Sequence, residues 1–221
     1  MNNFSVRSLF SVPKSQNERV LPAPLADSVI ALLNMLDLYA NKKYSLFSSE
    51  ELEKNGLTFS MRAQLRKKWY ADETFIDGFI QENGKDIEPV VPLLMMWKHR
   101  VTGRFLVMKY FPEYALLQSL ENTDAFFAIR SLTEDFEETV PQKPPYVIQT
   151  TLLPFYDTII WDGILFVAES NITSIMAKEI QDIAKKVRKH DVAIKSLIKF
   201  DNADETSASE DHQNSESGET K

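Results

Sequence analysis

Cysteine is missing from this chain, and histidine occurs three times and glycine six times in 221 residues. Without cysteine there are no disulfides, zinc ribbons, iron–sulfur clusters or thiol nucleophiles. With His99, His190 and His212 as the imidazoles, a multi-histidine metal site is nearly excluded, and neither a metal ligand set nor a cofactor is expected. Long hydrophobic runs are also lacking. The longest strongly apolar run, Val90 to Trp97, is interrupted by Pro92 and falls far short of the roughly 20 residues a bilayer span needs. The N-terminus lacks the apolar stretch of a secretory signal. The expected address is the cytoplasm, with no membrane partner. G-x-S-x-G, P-loop and G-x-G-x-x-G motifs do not occur, which removes the sequence signatures of a hydrolase elbow and of the common phosphate cradles.

The formal charge of −7 is concentrated at one end. Residues 201–221 hold Asp201, Asp204, Glu205, Glu210, Asp211, Glu216 and Glu219 against a single base, Lys221. They contain no Val, Ile, Leu, Met or aromatic residue, so they bury too little apolar surface to offset the entropy of ordering. A disordered acidic tail from residue 200 is the expectation. The remaining body is close to neutral, and the net charge therefore does not exclude an anionic partner. The tail follows a basic segment, Lys185 to Lys199, and is expected to compete intramolecularly for those bases.

Residues 1–24 contain Pro13, Pro22 and Pro24 and read as an extended arm. Leu25, Val29, Leu32, Leu33, Leu36 and Tyr39 recur at helical spacing and predict a helix over 25–41. Ser48-Ser49-Glu50-Glu51 starts a short second helix that Asn55-Gly56 stops. A third spans 59–70 with Met61, Leu65 and Trp69 on one face. A fourth is capped by Asp72, carries Phe75, Ile76, Phe79 and Ile80, and is closed by Asn83-Gly84. Pro89 and Pro92 confine further helix to the residues after them.

After Thr102-Gly103 come six short segments rich in β-branched and aromatic residues, at 104–110, 114–119, 124–130, 146–153, 157–161 and 164–168. A short helix carrying Leu132, Phe136 and Val140 interrupts them. Trp161-Asp162-Gly163-Ile164 reads as a two-residue hairpin turn, because Gly tolerates the positive φ of a type I′ turn. Ile172, Met176, Ile180, Ile183 and Val187 predict a last amphipathic helix over 172–190. The fold class is α+β: a helical half (25–101), an antiparallel, small barrel-like meander of about six strands with a closing helix (102–199), and the tail (200–221).

Thr150-Thr151-Leu152-Leu153-Pro154-Phe155 followed by Ile159-Ile160-Trp161-Asp162-Gly163-Ile164-Leu165 resembles a family of bacterial and archaeal proteins that carry a T-x-LLPF…I-x-Y-DG-L stretch near the C-terminus. Trp97…Gly103-x-Phe105 and Leu36…Tyr39-Ala40-Asn41-Lys42-Lys43-Tyr44 are similar too, so the resemblance loosely spans residues 25–198. Trp161 stands where the family usually has Tyr. Some members append a SEC-C metal-binding motif, whose cysteines are absent here, and the resemblance implies no metal and no activity.

For function, Asp157 and Asp162 bracket a segment and are the best paired carboxylates for acid–base work, yet turn chemistry accounts for both. Glu134, Asp135, Glu137 and Glu138 form an acidic cluster without the glycine and alternating oxygens of a calcium loop, as a solvated helix face would. Three basic groups remain: Arg62, Arg66, Lys67 and Lys68; Lys98, Arg100 and Arg104; and Lys185, Lys186, Arg188 and Lys189. Charge of this kind contacts phosphates, and Trp69-Tyr70 beside the first group offers stacking. The sequence thus leads first to a non-catalytic protein-interaction or regulatory module with an unidentified protein partner. Its alternative is a nucleic-acid-binding protein using the helices at 59–70 and 172–190. On the second reading, Arg66→Glu with Lys67→Glu is expected to abolish binding and leave the fold intact. No oligomeric state follows from the sequence.

Overall fold

The computed structural model describes residues 18–198, so most of the expected arm and the whole acidic tail lie outside the described residues. The helical half contains α1 (Ala23–Tyr44), α2 (Ser49–Asn55), α3 (Phe59–Tyr70), α4 (Phe75–Ile87) and α5 (Val91–Trp97). The β half contains β1 (Val101–Tyr110), β2 (Ala115–Ser119), β3 (Phe126–Arg130), α6 (Phe136–Thr139), β4 (Tyr146–Phe155), β5 (Thr158–Ala168) and α7 (Ser174–Lys189).

The helix boundaries follow local chemistry. Ser48 caps α2 in a reciprocal capping box with Glu51, and Thr58 and Thr173 accept from Met61 N and Met176 N at the starts of α3 and α7, each cap worth about 1 kcal/mol. Asp72 accepts from Thr74 ahead of α4, but Thr74 holds the cap position. Gly84 does not close α4, which runs on to Ile87 and passes into a single 3-10 turn, Glu88–Val90. Pro89 and Pro92 sit in the first turns of their elements, where the missing N–H costs nothing.

Among the described residues the sheet has five strands, not six. β1 pairs antiparallel with β2 and with β4, β2 with β3, and β4 with β5. β3 meets β5 in parallel over Ile129↔Ile159 and Arg130↔Ile160. The β1–β4 pairing closes the sheet on itself. The parallel contact corrects the all-antiparallel expectation: the chain between β3 and β4 crosses over through α6, so β4 joins β1 and leaves β3 to β5.

The second correction concerns Asp162-Gly163. Segments 157–161 and 164–168 are one strand, and the chain reverses at Tyr156-Asp157, where Phe155 pairs with Thr158 and Tyr156 has φ +52°. Leu152 pairs with Trp161 and Thr150 with Leu165, so Asp162, Gly163 and Ile164 stand against Thr151 alone. Asp-Gly makes a bulge here, with Gly163 at φ +83°. Both uses need the same positive φ; the ten-residue β4 decides between them, since it is long enough to pair with both flanking runs.

Side chains alternate across the closed sheet. Phe105, Val107, Leu117, Ile129, Tyr146, Ile148 and Trp161 fill its interior with Phe136 and Val140 of the α6 segment. Leu106, Met108 and Val147 face outward under Ala184 and Val187 of α7. Leu153, Phe155 and Ile160 face outward into the core of α1, α3, α4 and α5. By length and composition α1 is apolar enough to cross a membrane, with mean hydropathy 1.3 in its best window, although polar residues such as Asn34 and Asp37 interrupt it. Its Ala26, Val29, Leu32, Leu33, Leu36 and Ala40 are buried in that core.

Candidate functional site

Helix α3 joins the two halves. Its Leu65 and Trp69 are fully buried, about 2 kcal/mol of transfer free energy for a leucine alone. Arg66, one residue past Leu65, shares that inward face and is buried as well. It meets Asp37 of α1, which is fully buried, through Nε at 3.3 Å and Nη2 at 3.2 Å. Its Nη1 donates to the main-chain carbonyl of Asp162 and lies 3.5 Å from that residue's carboxylate. Trp69 Nε1 donates to Asp37 at 3.2 Å and Tyr70 donates to Asp162 at 2.8 Å. Arg62 lies 3.9 Å from Asp37.

The bulge makes this possible by turning Asp162 out of the ladder. Asp162 Oδ1 accepts from Ile164 N at 2.9 Å, and Thr150 Oγ1 donates to the Ile164 carbonyl at 2.7 Å, so side chains satisfy the polar groups the bulge displaces. Burial raises both carboxyls above their ordinary range, against the lowering effect of Arg66. Burial also works against the Arg66 charge, but Asp162, Tyr70 and Asp37 outweigh it and raise its pKa further.

A cleft of about 740 Å³ opens between α3 and the outer face of β1, β4 and β5. Phe59, Gln64 and Lys67 stand on the helix side, Thr102, Gln149 and Phe166 on the sheet side, and Tyr70 and Asp162 also line it. Phe59 and Phe166 are 51% and 49% exposed and meet edge to face at 5.7 Å between centroids. The two rings together make an exposed aromatic patch beside the cleft.

The sequence-derived candidates divide. Arg66 is committed to the buried pairs. Arg62 donates to Leu57 O and Asn34. Lys98 pairs with Asp77, Lys185 with Asp182 and Arg188 with Glu113. Arg100 donates to the Trp97 and Tyr70 carbonyls and lies over the Trp69 and Tyr70 rings. Lys67, Lys68, Arg104, Lys186 and Lys189 are exposed and have no ion pair among the described residues. Arg66→Glu with Lys67→Glu is therefore not a surface probe, because its first half places a third acid between two buried carboxylates.

Asp157 is exposed in its turn and does not line this cleft, so it does not converge with Asp162. Asp135 and Glu138 form the capping box of α6, and Asp135 and Glu137 pair with Arg19. Trp69 belongs to the core and offers no stacking face. Among the described residues no three His, Asp or Glu side chains group as a metal ion would require.

Sequence reasoning missed the Asp37–Arg66–Asp162 cluster. A signal was present: Asp37 lies four residues after Leu33 and three before Ala40, an acid inside an apolar helical stripe, and such an acid demands a buried cation. No known protein family, curated protein or solved structure matches this chain.

Proposed function

We propose that this protein is a non-catalytic interaction module that takes an apolar segment of a partner protein into the cleft between α3 and the sheet. The observation that carries this reading is the Phe59–Phe166 pair, half exposed at the rim of a 740 Å³ cleft. Exposed aromatics in a concave site are the usual anchors of protein recognition. The charged groups below them support binding over chemistry: Asp162, Arg66 and Asp37 hold one another, and none is left as an unengaged base or nucleophile. Lys67 on the helix side favours a partner segment with an acidic residue beside its apolar one.

The nucleic-acid alternative draws on Lys67, Lys68, Arg104, Lys186 and Lys189, exposed cations spread over α3, β1 and α7. Six of the eleven basic candidates are engaged within the fold, which weakens it. Phe166→Asp tests the primary reading. It adds a charge at an exposed position, so the fold persists, while a photocrosslinked protein adduct formed from the cleft floor should be lost. An adduct that survives Phe166→Asp unchanged overturns the assignment.

A further inference from the structure

Two helical layers pack on the outer face of the closed sheet and leave a gap between them. Along β4, Leu153 lies in the helical core that contains α3, and Val147 lies under α7. The strand from residue 147 to residue 153 is about 20 Å long. Helices packed side by side need about 8–10 Å between axes, so a third helix fits between α3 and α7. The floor of the gap is a row set by strand register. Phe166 of β5 pairs with Gln149 of β4, and Gln149 with Arg104 of β1, and directly opposed side chains share a face. Leu120, just past β2, donates its N–H to the Arg104 carbonyl at 2.9 Å and extends the row. All four residues are exposed, and the row covers three strand spacings, about 14 Å.

Both walls of the gap present apolar side chains. The buried residues of α7 are Ala184 and Val187. Gln181 donates to the Pro144 carbonyl ahead of β4, and Arg188 pairs with Glu113 just after β1. That flank of α7 therefore faces the strand ends away from Arg104. At 3.6 residues per turn Met176 and Ile183 fall on the other flank, toward the row, and both are almost half exposed. On the opposite wall stands Phe59 of α3, in edge-to-face contact with Phe166.

Closure of the sheet removes the free edge that an extended peptide would add to. Two helical walls over a sheet floor suit a third helix instead. Charge selects its sequence. Arg104 and Lys67 are exposed and have no ion pair among the described residues. The acids beside them are engaged: Asp162 with Arg66 and Tyr70, and Glu121 with Arg104 N at 3.1 Å. Glu179 of α7 is turned further toward solvent than Met176 and Ile183. We infer that the gap receives an amphipathic helix of the partner protein, lying across β5, β4 and β1 between α3 and α7. Its apolar anchors sit over Phe166 and Leu120, and an acidic residue between them faces Arg104. This inference rests on the cleft reading and names the form of the segment bound there.

The probe is an alanine-based helical peptide with leucines roughly two turns apart and a glutamate between them on the same face, titrated into the ¹⁵N-labelled full chain. The expected result is saturable shifts of the backbone amide signals of Arg104, Leu120, Gln149 and Ile183, with Lys189 unmoved. Lysine in place of the glutamate should weaken binding roughly fivefold. Arg104→Glu should weaken the glutamate peptide similarly and restore the lysine peptide. A proline in the middle of the peptide, which breaks the helix, should abolish binding. Leu120→Asp and Ile183→Asp, at exposed positions, should each weaken it. If one variant does not fold, the others and the peptide substitutions decide. Equal binding of the proline peptide, or shifts at Phe166 with Leu120 and Ile183 unmoved, overturns the helix and leaves the cleft reading standing. Absence of any saturable shift also overturns the helix. A photocrosslinked adduct that survives Phe166→Asp overturns the cleft reading itself, and an adduct with a second copy of this chain overturns the assignment to a different protein.

Discussion

Arg66→Met removes the cation between two buried carboxylates while keeping an unbranched apolar stem in the space Arg66 fills. Asp37 and Asp162 are almost wholly buried and Arg66 is the closest cation to both. Truncating one partner of a buried pair leaves uncompensated charge and typically costs about 3–5 kcal/mol, a large share of the roughly 5–15 kcal/mol that holds a domain folded. The cost depends on pH, and its sign follows from the carboxyls. Burial already raises their folded pKa values, and loss of Arg66 raises them more. The folded variant then binds more protons than the unfolded chain above the ordinary carboxyl pKa of about 4, so its stability falls as pH rises through that window and recovers as pH drops. Urea denaturation at pH 4.5 and pH 7 measures this. The loss should be large at pH 7 and smaller at pH 4.5, and Asp37→Asn added to Arg66→Met should restore part of it at pH 7. Lys67→Glu, exposed and unpaired, should change stability by about 0.5 kcal/mol or less at either pH. A loss below about 1 kcal/mol for Arg66→Met at pH 7, or equal losses at both pH values, would refute the buried-pair reasoning.

Two further outcomes test local features. Gly163→Ala should cost about 1–2 kcal/mol through its positive φ, since an added Cβ would meet nothing closer than Leu132 Cδ1 at 3.7 Å; thermal denaturation with no loss would show that the bulge does not require glycine. Lys43, Thr74 and Tyr44 all donate to the Asp72 carboxylate and hold its pKa well below the usual range. That stability is present above about pH 4 and lost as pH falls through the depressed value, so Asp72→Asn should cost about 1–2 kcal/mol at pH 7 and converge with wild type in strong acid. Parallel curves for the two proteins across the acid range would contradict this origin.

How much of the molecule was legible in the sequence depended on whether the deciding interaction was local. The capping box at Ser48–Glu51 and the apolar stripes of α1, α3 and α7 are set by neighbours within four residues, and periodicity finds them. The Asp162-Gly163 hairpin was misread because the dipeptide specifies only a positive φ, which a turn and a bulge share. Long-range pairing with β4 settles which one forms. Gly84 was read as a helix stop for a similar reason: α4 continues because Ile87 is buried in the helical core, and that packing outweighs the roughly 1 kcal/mol propensity cost of an interior glycine. Arg66 groups by sequence with Arg62, Lys67 and Lys68 as a phosphate-contacting base, but Lys67 and Lys68 are exposed whereas Arg66 follows Leu65 inward. The Phe59–Phe166 pair joins residues 107 apart in sequence, beyond the reach of any pattern along the chain.

The proposed protein-binding site is the cleft between α3 and the sheet. The most direct measurement places a photoreactive residue at Gln149 on the cleft floor and, separately, at Lys189 on α7 outside it, and compares adducts in cells with and without Phe166→Asp. The predicted result is a protein adduct from position 149 that Phe166→Asp abolishes and that position 189 does not form. A nucleic-acid adduct at position 149, or the same protein captured equally from position 189, would contradict it.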